Sequence, residues 1–143
     1  MSTLERAIEI AAKAHAGQFD KAGQPYILHP LRVMLRVNST DERIAAVLHD
    51  AVEDTDVTLE LLTEEGFSQQ VIAAVEALTK RPGETRIQAA ARAAAHPVAR
   101  VVKLADNAEN MDLSRIPIPT EKDFARLEDY ERVRALLLGA APT

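Results

Sequence analysis

The stretch "VLHDAVEDT", Val47 to Thr55, places His49, Asp50, Glu53 and Asp54 within nine positions. Its periodicity is helical. At 100° per residue the four groups fall within about 140° of the helical wheel, and Ala45, Val47, Leu48, Ala51 and Val52 fill the other side. Two readings fit this pattern. A solvated face of a surface helix carries such residues, and Glu42 and Arg43 share the arc. An adjacent His-Asp pair also offers an imidazole and a carboxylate to one cation, with Glu53 and Asp54 one turn further on as proton carriers. Three carboxylates this close repel one another unless a cation or a raised pKa offsets the repulsion.

Two donors elsewhere favour the second reading. His29 precedes Pro30 where a loop meets a short helix. Asp106, in "VVKLADNAENM", follows an apolar run and shares a helical face with Asn110, four residues on. The chain contains no cysteine, so histidines and carboxylates are its strong ligands. Two of each suit one divalent first-row ion. The carboxylate share favours Mn²⁺, with Fe²⁺ or Zn²⁺ as alternatives. His15, near a helix end, and His96, before Pro97, read as structural or solvated. There is no G-x-S-x-G, Gly-rich phosphate loop or cysteine nucleophile, so covalent hydrolase and Walker-type chemistry lack support.

The elements that position these residues read as helices almost throughout. Ser2 and Glu5 have capping-box spacing ahead of a first helix, which Gly17 ends. "QFDKAGQPYILHP" is irregular, and a short helix follows over Leu31–Val37. Asp41 is the expected cap of the helix bearing the opening motif. Thr58 caps a short helix to Glu65, Ser68 caps another through Leu78, and "KRPGE" is a loop. An alanine-rich helix runs from about Thr85 to Ala95, "VARVVKLADNAENM" is helical, and Thr120 to Leu138 forms a last amphipathic helix. No region alternates with period two for long enough to argue a strand. The expectation is an all-α fold, with residues 1–143 as one domain.

The bulk numbers agree. A chain of 143 residues with 47% apolar and 27% charged residues is expected to bury roughly 68–70% of its unfolded surface in one core. Aromatics at 3% and a net charge of −5 argue against nucleic-acid partners. The N-terminus has no signal-peptide core and no segment is apolar enough to span a membrane, so a cytoplasmic protein is expected. The stripe Phe124, Leu127, Tyr130, Val133 and Leu137 is expected to pack in the core. It could instead cover a partner subunit, which leaves a homo-oligomer open.

"AHAGQFDKAGQPYILHPLRV", "AAVLHDAVEDT" and "VKLADNAENM" occur here in the order and spacing of the hydrolase domain of the RelA/SpoT proteins. Over roughly residues 4 to 113 the chain resembles the small stand-alone alarmone hydrolases of the HD superfamily. The resemblance implies an all-helical fold with one Mn²⁺ held by His29, His49, Asp50 and Asp106. It implies hydrolysis of the 3′-pyrophosphate of guanosine tetra- or pentaphosphate, releasing pyrophosphate and GDP or GTP. Glu53 would orient or deprotonate the attacking water, and Asp54 would assist by protonating the departing oxygen. Lys21 would meet phosphate, Tyr26 would shape the pocket wall, and Asn110 would contact the nucleotide.

The family's Arg-Lys pair before "G-x-PY" is Asp20-Lys21 here, and its "ADRLHNMR" is "ADNAENMD". Asn107, Glu109 and Asp112 thus stand where the family carries Arg, His and Arg, which removes positive charge expected around an anionic substrate. Three readings follow: the alarmone hydrolase, the same chemistry on another nucleotide or phosphoester, and a metal-holding module without catalysis. The loop at Lys80–Glu84, with Arg86 and Arg92, is a candidate source of the missing charge.

Overall fold

The computed structural model describes residues 2–114 and 116–139. The described residues form α1 (Leu4–Ala14), α2 (Leu28–Leu35), α3 (Thr40–Asp54), α4 (Leu59–Glu64), α5 (Gln69–Leu78), α6 (Arg86–Ala94), α7 (Pro97–Met111) and α8 (Glu121–Gly139). They contain no strand beyond an isolated bridge between Phe19 and Pro25. The all-α expectation holds.

Short polar side chains start most of these helices by accepting a backbone N–H that has no intrahelical partner. Thr3, Thr58, Ser68 and Thr85 do so for α1, α4, α5 and α6. His96 caps α7 through its ring nitrogen, accepting from Ala99 N at 3.3 Å, and Pro97 occupies the first turn, where no N–H is needed.

Three boundaries differ from those the sequence suggested. Thr3 rather than Ser2 caps α1, because the Ser2 amide donates instead to Gly66 O at 2.9 Å. Ser39 rather than Asp41 caps α3, and it forms a capping box with Glu42; Asp41 lies in the first turn, where its charge suits the helix dipole. Finally, α2 begins at Leu28, so Pro30 sits inside the first turn instead of breaking the chain. That shift carries His29 off the loop and onto a helix.

α3 packs against α1, α2, α5 and α7. Every residue from Ile44 to Ala51 is buried, so the two-sided wheel does not describe this helix: His49 and Asp50 are buried together with their apolar neighbours, and after this run exposure resumes at Glu53. Leu48, Val47, Val71, Val75 and Val102 are fully buried in the main core, each worth about 1.5–3 kcal/mol relative to an exposed position. A second, smaller cluster of Ala90, Val133 and Leu137, with Ala94, Leu104 and Leu136 against it, joins α8 to α6 and α7. In the expected α8 stripe, Val133 and Leu137 are core, whereas Phe124 is exposed. Phe124 lies ahead of the part of α8 that this cluster covers.

The segment between α5 and α6 is closed by a clasp. Arg92 donates to both oxygens of Glu84 at 2.5 and 2.9 Å and to Thr79 O at 2.6 Å, while the Arg81 amide donates to Glu84 Oε1 at 2.8 Å. Arg92 therefore ties the end of α5 to the loop. The Arg92 hydrogen bonds, with the Arg81 amide, hold the Glu84 carboxyl down at about 2. A depressed carboxyl contributes its stability above its unfolded pKa and loses it as pH falls toward the folded value. Glu84→Gln should thus lower the unfolding midpoint at pH 7, and the gap to the unsubstituted protein should close between pH 4.5 and 2. Thermal melts across that range check this; a gap independent of pH would show that the clasp does not act through the ionised carboxylate.

Candidate metal centre and active site

Three helices bring four donors to one point. His29 comes from the first turn of α2, His49 and Asp50 from α3, and Asp106 from α7. All four are buried. His29 Nε2 lies 2.7 Å from Asp106 Oδ1 and 3.7 Å from Asp50 Oδ2. His49 Nε2 lies 3.1 Å from Asp50 Oδ1 and 3.9 Å from Asp106 Oδ1. Ligand atoms of His29, Asp50 and Asp106 all fall within 4.8 Å of one another, and His49 closes the cluster from the Asp50–Asp106 side. The other His49 nitrogen, Nδ1, is 2.8 Å from Ala46 O. That carbonyl can only accept, so Nδ1 is a donor and Nε2 is the nitrogen turned toward the carboxylates.

The electrostatics are those of a cation site. Burial opposes ionisation of Asp106, but Lys103, His29 and His49 outweigh it and hold the carboxyl far below its usual range. Burial likewise opposes ionisation of Asp50, and His49 outweighs it. Burial disfavours a charged His49, yet Asp50 raises its pKa to about 9. Two buried imidazoles converging on two ionised carboxylates, with one imidazole anchored at Nδ1 so that Nε2 faces them, fit a divalent cation, which would take the place of the imidazolium proton.

Glu53 and Asp54 follow one turn later at the exposed end of α3. Each puts a carboxylate oxygen within 4.8 Å of the other and of Asp50. Desolvation raises both pKa values, and the charge of Asp50 adds to it. Glu53 Oε1 also accepts the Lys80 amide at 2.7 Å. The loop closed by Arg92 and Glu84 thus delivers a backbone donor to Glu53 and fixes its carboxylate over the cluster.

Two cavities meet beside His29. One, of about 260 Å³, is lined by the four candidate donors, Glu53, Asp54, Lys80, Arg86 and Lys103. The other, of about 360 Å³, is lined by Phe19, Asp20, Lys21, Leu113, Ile116 and Arg126, among others. Tyr26, His29, Asn110 and Tyr130 line both. Lys21 thus lies in the larger chamber, away from Glu53 and Asp54, while Tyr26 and Asn110 stand at the junction. Tyr26 does more than form wall: its hydroxyl donates to Asp50 Oδ2 at 2.8 Å, and burial next to Asp50 keeps it protonated far above the usual range. Asn110 Nδ2 lies 3.4 Å from Asp106 Oδ1.

The acidic departures separate once they are placed. Asp20 and Asp112 line the larger chamber. Asp20 also folds its own loop, its Oδ1 accepting the Ala22 and Gln24 amides at 2.9 Å. Glu109 lines neither chamber; it is buried, and it accepts from Arg36 Nε at 2.5 Å, joining α7 to α2. Asn107 lines the smaller chamber while its Nδ2 donates to Tyr130 O at 2.9 Å, joining α7 to α8. Of the loop cations, Lys80 and Arg86 line the smaller chamber, whereas Arg92 is consumed by its clasp.

Sequence reasoning missed three contributors. Lys103 reaches Asp106 Oδ2 at 3.4 Å from three residues earlier; the shared helix face was the available signal. Tyr130, read as core, lines both chambers under Arg86, which lies 4.9 Å from its ring centroid. Arg126 lines the larger chamber, with Asp123 as its ion-pair partner. Nothing local to α8 says that the helix returns across the cleft.

Comparison with known proteins places this geometry. The chain is 37% identical to a probable GTP pyrophosphokinase of Mycobacterium leprae, over an alignment covering 96% of this chain and 19% of the relative. It is 43% identical to a guanosine-3′,5′-bis(diphosphate) 3′-pyrophosphohydrolase of Aquifex aeolicus, over 54% of this chain and 12% of the relative. The chain therefore spans about a fifth or less of these curated relatives. A solved structure described as a metazoan ortholog of SpoT that hydrolyzes ppGpp superposes with a TM-score of 0.80 over 98% of this chain and 88% of that one, at 24% identity, and so shares the fold. The family model for the HD domain matches residues 7–99, which include His29, the His49-Asp50 pair, Glu53 and Asp54. The chain belongs to the HD domain family.

Proposed function

We propose that this protein is a metal-dependent phosphohydrolase that removes the 3′-pyrophosphate of guanosine tetra- or pentaphosphate, giving pyrophosphate and GDP or GTP. The observation that carries the reading is the convergence of His29, His49, Asp50 and Asp106 beside the loop-fixed carboxylate of Glu53. The carboxylate-rich donor set favours Mn²⁺ as the resident ion. When bound, such an ion supplies Lewis acidity toward water and a phosphoryl oxygen.

The chain's own residues supply the rest. Glu53, raised in pKa and held by Lys80, takes the proton of the attacking water as the new P–O bond forms. Asp54, also raised, protonates the ribose 3′ oxygen as its bond to phosphorus breaks. Lys80, Arg86 and Lys103 offset phosphate charge in the reaction chamber, while Lys21 and Asn110 contact the nucleotide toward the larger one. A cytoplasmic location accords with such a substrate.

Asp20 and Asp112 favour a second reading, because acidic side chains line the chamber at positions where the resembling family carries cations. On that reading the same chemistry acts on another nucleotide or phosphoester.

Purified protein with Mn²⁺ and guanosine tetraphosphate should release pyrophosphate and GDP. Turnover of other nucleotides without turnover of this one would favour the second reading. Glu53→Gln should keep its metal and lose about 10²–10⁴-fold in turnover; unchanged turnover would remove Glu53 from the mechanism. Asp106→Ala should bind Mn²⁺ at least about a hundredfold more weakly by calorimetry, and full occupancy in this variant would exclude Asp106 as a ligand.

A further inference from the structure

Asp50 depends on a residue outside its own helix. One oxygen faces His49, and the other receives the Tyr26 hydroxyl at 2.8 Å. The terminal torsion of an aspartate is broad, so the Tyr26 donor, by holding one oxygen, fixes the plane in which the carboxylate presents its other oxygen to His49. Tyr26 precedes α2, and its position is set by residues at the end of α1. Its amide donates to Gln18 O at 2.9 Å. Its ring lies between two imidazoles, with centroids 5.0 Å from His15 and 5.7 Å from His29.

His15 is placed with equal care. It is 2% exposed, and its Nδ1 is 2.8 Å from Gln18 Oε1. Gly17, at φ +85°, turns the chain so that Gln18 folds back over His15, with Gln18 N donating to His15 O at 3.0 Å. The other ring nitrogen, Nε2, is buried and has no hydrogen-bond partner. An apolar side chain would fill this space without that cost. His15 is therefore a poor choice for filling space and a good one for presenting a flat ring, tethered at one edge, to Tyr26.

We propose that His15, tethered by Gln18, is a positioning residue of the metal centre: it buttresses Tyr26, whose hydroxyl sets the orientation of the Asp50 carboxylate. This rests on the metal-dependent reading above. It assigns "AHAGQ" and "PY" a shared task with the opening His-Asp pair, although none of His15, Gln18 and Tyr26 is a metal ligand.

Calorimetric titration of the purified chain with Mn²⁺ alone, paired with thermal melts, tests the proposal without any substrate. Tyr26→Phe should melt near the unsubstituted protein yet bind Mn²⁺ about tenfold to a hundredfold more weakly. His15→Ala should also weaken binding. In the Tyr26→Phe background it should add nothing further, because both changes disturb one path. Gln18→Ala removes the tether without opening a core cavity, and its smaller loss should likewise vanish in that background; it decides the matter if His15→Ala does not fold. Unchanged Mn²⁺ affinity in both His15→Ala and Gln18→Ala, or losses that add in full to that of Tyr26→Phe, overturns the proposal while leaving the metal reading intact. Failure of the unsubstituted protein to bind Mn²⁺ overturns both.

Discussion

Two carboxylates, Asp50 and Asp106, are ionised inside a helical core, and much of the molecule is arranged around that fact. An unpaired buried carboxylate is too costly to persist charged. Here each is answered from several directions: Tyr26 from the chain leading into α2, His29 from the first turn of α2, His49 from α3, Lys103 and Asn110 from α7. Aspartate is short, so the helices must approach closely for these groups to meet. Ala45, Ala46 and Ala51 on α3 and Ala99 and Ala105 on α7 are all buried, and their small side chains permit that approach. The alanine content of these helices, unremarkable as composition, is a condition of the site.

The chemistry-bearing residues were legible because their types declare them. A His-Asp pair with Glu53 and Asp54 a turn later, together with His29 and Asp106, marks the candidate donors by residue type, and the fold brings them together. Environment was less legible. The wheel of α3 set His49 and Asp50 on the wet side, since a wheel sees only the polarity of its own helix and not the partners that α2 and α7 bring to it. Boundaries failed for local reasons: Ser39 competed with Asp41 for one cap, and Pro30 is compatible with a first turn as well as with a break. Tyr130 and Arg126 could not be assigned to the cleft because their roles depend on where α8 returns.

Charge in the family's nucleotide-reading segment illustrates the same limit. Glu109 reads in sequence as unfavourable to an anionic substrate, but Arg36 at the end of α2 meets it outside both chambers, so the altered "NAEN" segment is partly structural cement. Asp20 and Asp112 do face the larger chamber. Any ligand there meets carboxylates and cations, Lys21 and Arg126, together with Phe19, Leu113 and Ile116. Such a surface suits a flat, polar-edged group better than a bare polyanion.

The separate apolar cluster that fastens α8 has a further implication for how this molecule opens. Ala90, Val133 and Leu137 form a far smaller seam than the core around α3, so detachment of α8 is a lower-energy excursion than global unfolding. It would uncover the Tyr130 and Arg126 side of both chambers while α2, α3 and the segment 97–106 of α7 stay assembled. A bulky occupant of the chambers would then have a transient way out through this wall, with the candidate donors undisturbed.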